Sequence, residues 1–306
     1  MHTPRRLPRP AASMALLLGL GLAGSAPLSA QSFAGRRDTS LTLSASAVVD
    51  VTLRTGRVIV RGIEGTTGTV RGGGQRYELR ATGVGMTLNA RDMGSDRDDA
   101  PLVLEVPRGA RVLVNTASAD VRLQDLRGDI EVHTANGDIV AEDVDGRLVV
   151  ETLSGDVTVD GAPAGVRITS TSGDVIVRGL RGDADLRTTS GDVRVDGERL
   201  TRVLVENFNG DVTIDGTLSA DARVQVRTHN GDVSVRIPGG AQGRLELSTI
   251  SGDLSASGPL TLLPDDARSS AGGRSTRRYE FGGGGPLQID ISTFNGDVRL
   301  VRGIRS

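Results

Sequence analysis

Apolar residues recur at every ninth position through the middle of this chain. They stand at Val121, Ile130, Ile139, Leu148, Val157, Val166, Val175, Ala184 and Val193, and two places after each stands another: Leu123, Val132, Ala141, Val150, Val159, Ile168, Val177, Leu186 and Val195. Every one of these slots is apolar in a chain that is only 37% hydrophobic. A fixed period of this kind is read before any local signal. Apolar residues two apart lie on one face of a short strand. The rest of each nine makes a turn, and two nines make a coil. Stacked coils place each strand beside its equivalent, ~4.8 Å away and parallel. The pattern predicts an all-β, single-domain parallel β-solenoid (β-helix), with about 18–21 residues per coil and two main strands per coil.

The turns carry their own columns. Glycine stands at Gly137, Gly155, Gly173, Gly191, Gly210, Gly231, Gly252 and Gly296, with Ala119 in the same slot one unit earlier. Each is preceded by Ser or Asn, which suits a tight turn at positive φ. Two residues beyond the inward pair of every second unit lie Thr116, Thr134, Thr152, Ser170, Thr188, Asn207, Thr228, Thr249 and Thr293, a column able to hydrogen-bond along the rod. Asp138, Asp156, Asp174 and Asp192 follow the glycines and should align one coil apart. Like charges at that spacing repel by roughly 1 kcal/mol in water, so something must offset them. One answer is hydrogen bonds from the turn's own amides, with help from arginines such as Arg178 and Arg194. The other is a column of bound cations. The nonapeptide of calcium-binding β-rolls has more glycine and aspartate per turn, so a ligand cage is missing here.

The ends differ from the repeat. Residues 1–30 read as a signal peptide: Arg5, Arg6 and Arg9, then an uncharged apolar run from Ala11 to Ala26, then small residues ending at Ala30. Residues 31–48 are a leader or cap, loose as far as Asp38. Residues 49–302 form the solenoid, with 258–286 as a loop or hairpin insertion, and 303–306 are a tail. The turn at Gly72–Gly74 and a loop holding Asp96, Asp98 and Asp99 interrupt the first coils. End coils expose strand edges, so the segment before Val49 and the tail from Val301 are candidate caps. Self-association end to end is the alternative.

Composition narrows the function. Cysteine is absent, so an exported chain depends on its packed core rather than on disulfides. All 36 basic residues are arginine. Net charge is −2, and removing Arg5, Arg6 and Arg9 with the signal makes it −5. No basic stripe points to nucleic acid, and no membrane span follows the signal. Of the histidines, His2 leaves with the signal, while His133 and His229 flank turns without a ligand cluster. Aromatics are 2% of the chain, and Phe208 and Phe294 read as rings stacked under turns. Arg127-Gly128-Asp129 and Arg181-Gly182-Asp183 fall on phased Gly-Asp slots, which the repeat itself explains. Outward Val140 and Val149 are candidate contacts. No catalytic, cofactor-binding or metal residues are assigned.

Taken together, the Ser/Asn-Gly-Asp-Val-x-Val turns, Val106-Pro107-Arg108-Gly109, the glycines 282–285 and the closing Thr293-Phe294-Asn295-Gly296-Asp297-Val298 resemble the bacterial domain family of unknown function labelled "putative adhesin". The resemblance covers about residues 45–302. It implies a solenoid fold and no catalytic residues. The expectation is a non-catalytic exported protein of the cell envelope that meets an envelope protein or a cell-surface glycan. A carbohydrate-active β-helix enzyme and a calcium-dependent binding module are the alternatives.

Overall fold

The computed structural model describes residues 31–35, 38–72, 76–82, 84–92, 100–161, 163–264 and 275–303. The signal peptide with His2, the turn glycines 73 and 74, Asp96, Asp98 and Asp99, the middle of the insertion and residues 304–306 lie outside the described residues. Those described form strands and turns and no helix, all joined in one 23-stranded sheet.

Two walls of parallel strands face each other across the apolar interior. On the first wall Val112, Ile130, Leu148, Val166 and Ala184 follow one another in register; on the second, Val121, Ile139, Val157, Val175 and Val193 do. The eighteen ninth-place residues are all buried, at most 4% exposed. Alternation within each strand is what allows this, since a slip of one residue would turn the whole apolar set to water. A third inward column lies at the corner that leads from the second wall back to the first: Leu126, Val144, Leu180 and Leu200 are fully buried, and Pro163 is buried in the same series.

The two corners behave differently. From Val112 onward, the path from the first wall to the second is the Ser/Asn-Gly-Asp turn of fixed length, with Ala119 in the glycine place on its first rung. The longer units absorb their extra residues at the opposite corner, where the pairing shifts register between Arg178 and Asp183 and again between Gly197 and Arg202. Glycine explains the fixed corner. Gly173 sits at φ 120°, and a Cβ there would lie 2.2 Å from the carbonyl oxygen of Gly155 on the neighbouring rung. The same close approach repeats at every turn glycine from Gly137 to Gly296, so the column tolerates no side chain. Ala119, the exception, lies within the continuous strand Arg111–Gln124 and pairs with Gly56, which takes the positive φ (109°) on its rung.

Stack order departs from chain order at both ends. The unit Val48–Ile63 lies between the strands Gly85–Asp92 and Leu102–Pro107 on one side and the strand Arg111–Gln124 on the other. At the other end the final unit, Leu287–Ser292 with Val298–Arg302, inserts between residues 223–237 and the earlier unit Gly243–Thr249 with Leu254–Ser257. Beyond these rungs the pairing becomes antiparallel. Gln31–Gly35 pairs with Arg76–Thr82, and Thr39–Thr42 with Thr67–Gly72. Ser275–Phe281 covers Gly243–Thr249 and is paired in turn by Leu260–Leu262. Antiparallel hairpins thus do the capping. The leader is not loose, since its first residues form a strand. Of the candidate C-terminal cap, Val301 and Arg302 belong to a strand paired on both sides, and residues 304–306 lie outside the described residues.

Arg302 locks this exchanged order. The residue is 8% exposed, and its guanidinium donates from Nη2 to the carbonyls of Gly239 and Ala241 (2.9 Å each) and from Nη1 to that of Pro259, and lies 5.5 Å from the Phe281 ring centre. The inserted final strand is therefore tied to both chain segments that flank it.

Candidate binding surface

The Gly-Asp turn poses a hydrogen-bonding problem that its aspartate solves. In each turn the glycine N–H donates to the Ser or Asn carbonyl of the next rung, as Gly155 does to Ser172 at 3.2 Å. The following valine N–H does the same to the next aspartate's carbonyl, as Val157 does to Asp174 at 2.9 Å. The aspartate N–H between them points the other way, where the corner offers it a carboxylate. Asp156 N donates to Asp138 Oδ1 (3.0 Å), Asp174 N to Asp156 Oδ1 (2.9 Å), Asp192 N to Asp174 Oδ1 (2.8 Å), and the ladder continues through Asp211, Asp232, Asp297 and Asp253. The donor is thus the neighbouring rung's amide and not the turn's own. Each such bond is charge-assisted, and these are the strong ones. Arg178 and Arg194 make no ion pair with the four aspartates among the described residues; the ion pair on this column is Arg57 with Asp120, at 3.5 Å, where arginine replaces the first aspartate. Asp138, Asp156, Asp174 and Asp192 are exposed. Among the described residues no group of three or more His, Asp or Glu is placed to hold a metal ion.

The Thr column closes turns and also bonds along the stack, Thr249 to Gly296 O at 3.2 Å and Thr293 to Gly231 O at 3.4 Å. Thr134, Thr152, Ser170, Thr188, Thr228 and Thr293 each donate to the carbonyl two residues ahead. Along-stack bonds occur from Thr116 to Thr134 (2.8 Å) and from Asn207 Nδ2 to Gly191 O (3.1 Å). The turn asparagines do form a ladder: Asn230 Nδ2 donates to Asn209 Oδ1 (2.8 Å), and Asn295 Nδ2 to Asn230 Oδ1 (2.9 Å).

One residue before these turn positions runs an outward column that changes character along the stack. It passes from Ala135 to Leu153, Thr171, Thr189, Phe208, His229 and Phe294. Three rings meet there. Phe208 and His229 stack at 4.6 Å with planes 9° apart, and His229 and Phe294 at 4.7 Å and 22°. The rung spacing of ~4.8 Å is close to ring-stacking distance, so equivalent positions on successive rungs suffice to build the stack. Phe208 is 51% and Phe294 42% exposed. The rings thus flank the turns in the open and not beneath them. His133 lies elsewhere on the wall, between Glu131 (2.9 Å) and Glu151 (3.1 Å).

Where the column drops from Phe208 to Thr189 and Thr171, a hollow of about 470 Å³ opens, lined also by Thr169, Arg187, Glu206 and Arg227. Glu206 holds Arg187 at 3.0 Å, and Asp185 sits 2.9 Å from the same guanidinium. The bond to Glu206, with the charge of Asp185 behind it, raises the Arg187 pKa above its ordinary value. The sequence shows all three ring residues, but the stack becomes visible only once Gly296 is placed next to Gly231 rather than after Gly252. The two Arg-Gly-Asp triplets lie at the opposite corner: Arg127 faces Asp145 at 3.6 Å, Arg181 is paired with Glu198, and Asp183 accepts from Thr201. Val140 and Val149 are half-buried in the walls.

A profile of the Toastrack DUF4097 family matches residues 74–301. No curated protein matches. A solved structure described as a putative cell adhesion protein from Clostridium sporogenes is similar over 87% of this chain and 99% of that chain, at 8% identity and a TM-score of 0.28, a likeness too slight to carry an argument.

Proposed function

The chain belongs to the Toastrack DUF4097 family, and we propose that it is a non-catalytic β-solenoid of the cell envelope, exported by its first thirty residues, that presents a rigid repetitive surface to a partner. The in-register parallel stacking, rung on rung with a fixed Gly-Asp corner, is the observation that carries the reading. Such a stack holds surface side chains at a constant spacing and resists deformation, because each rung is bonded to both neighbours. The polar groups of the outer surface are largely committed to one another: Glu206 to Arg187, Arg167 to Asp185, Arg236 to Asp215. A carboxylate held by an arginine is poorly suited to serve as a catalytic acid, which favours presentation over turnover. Beside these pairs stand the exposed ring column and the hollow next to it.

The test is a pull-down from envelope extract with residues 31–306 as bait. The reading expects a partner retained by the folded chain and not by the heat-unfolded one. Equal retention by both, or none by either, rejects it.

A further inference from the structure

The ring stack ends abruptly on one side. Phe208 has one face against His229; its other face looks along the stack to the rung of Thr189, and the rung beyond carries Thr171. Both threonines are exposed. The next large side chain on this column is Leu153, which is 60% exposed. Two successive rungs at ~4.8 Å each are therefore clear of bulk above Thr171 and Thr189, bounded by Leu153 at one end and a flat aromatic face at the other.

From this geometry we propose that the hollow binds a carbohydrate, with one pyranose ring seated on the free face of Phe208 in place of the missing rung. This rests on the proposed envelope role and names the partner's chemistry. A pyranose has an apolar face of C–H groups and a rim of hydroxyls. Phe208 meets the face at the distance at which its other side already holds a ring. The rim meets Thr171, Thr189 and Thr169 hydroxyls and the charged heads of Arg187, Glu206 and Arg227. An aromatic peptide side chain would stack equally well, but its apolar rim offers no hydrogen-bond partner to the exposed Thr171 and Thr189 hydroxyls, which a sugar's hydroxyl rim supplies. The inner ring faces of the stack are consumed by one another, so the exposed face of Phe208 is the available platform on this side.

Two variants test the site. Phe208→Ala removes the platform. Thr189→Phe fills the vacant rung with a side chain able to stack on Phe208, extending a stack the fold already tolerates, so its melting temperature should equal or exceed that of the unaltered chain. Residues 31–306 are applied to a printed array carrying both bacterial envelope oligosaccharides and animal-cell glycans, and the source is read from which section binds. The expected result is retention by a set of glycans sharing one ring type, with about two- to tenfold loss in both variants, the scale of one aromatic contact. Absence of any retained glycan overturns the proposal, as does undiminished binding by Thr189→Phe. Saturation by phenylalanine-containing peptides with no glycan retained overturns the sugar class. Co-sedimentation with purified envelopes separates this site from the wider reading. If Thr189→Phe sediments as well as the unaltered chain, the site falls and the envelope role stands. If neither sediments while the array still binds, the role falls and the site stands.

Discussion

Adding one methyl group at Gly173 should cost more than the same addition at a glycine with similar backbone but open surroundings. Gly173 has φ 120° and would place its Cβ 2.2 Å from Gly155 O, whereas ordinary contact begins at 3.4 Å. The oxygen is backbone and cannot swing aside, so the two rungs must part by more than an ångström at that corner. Three hydrogen bonds join them there: Gly155 N to Ser172 O (3.2 Å), Val157 N to Asp174 O (2.9 Å) and Asp174 N to Asp156 Oδ1 (2.9 Å). Losing two of them costs about 1–3 kcal/mol, and the unfavourable φ adds about 1–3 kcal/mol. We expect Gly173→Ala to destabilise by about 2–6 kcal/mol on these two terms. Gly65 isolates the second term: its φ is 102° and a Cβ there meets nothing within 4 Å. Gly65→Ala should cost about 1–3 kcal/mol. Gly240, with nothing near it and no positive φ, should be close to neutral as alanine. Urea unfolding of residues 31–306 reads all three. With a slope of about 2–3 kcal/mol per molar, Gly173→Ala should lower the midpoint by about 1–3 M. Equal shifts for Gly173→Ala and Gly65→Ala would refute the inter-rung contact as the reason for glycine.

Asp174→Ala should destabilise by about 1.5–3 kcal/mol, because the Asp192 amide loses a charged acceptor, whereas Asp174→Asn keeps an oxygen in place and should stay within about 1 kcal/mol of the unaltered chain; thermal melts of both decide. Since those Oδ1 atoms already accept amide hydrogens, EDTA should leave the melting temperature unchanged, and calorimetry should show no heat on adding calcium. Arg302→Met should cost about 2–4 kcal/mol by freeing the carbonyls of Gly239, Ala241 and Pro259, and hydrogen exchange should accelerate first in Ser275–Phe281, the strand whose Phe281 lies against Arg302. Mass spectrometry of the protein recovered from its native host should show a chain beginning at Gln31; an intact Met1 start would remove the signal cleavage.

The nine-residue apolar period was enough to identify the inward residues of the two walls in the central rungs, and the family resemblance it supported agrees with the profile match over residues 74–301. These features are local: strand alternation and turn chemistry act within a few residues and leave a direct mark on the chain. The corner column of Leu126, Val144, Leu180 and Leu200 was harder to see, because unequal corner lengths break its spacing. The direction of the aspartate bonds was not legible either. It depends on which way the Asp174 amide points once the Gly173 turn is made, a matter of backbone phase rather than residue type.

The order of the rungs at either end is settled only by the tertiary structure. Two units with the same Gly-Asp-Val corner are nearly interchangeable as neighbours, so sequence alone gives no reason to set Gly296 between Gly231 and Gly252. Closure decides it: the hairpin Leu260–Leu262 with Ser275–Phe281 must cover the outermost strand, and Arg302 must reach carbonyls on both sides. That long-range choice also brings Phe294 onto His229 and completes the ring stack. The sequence by itself determined what each rung contains; the fold determined which rungs touch, because neighbour identity is fixed by the global path of the chain and not by any short stretch of it.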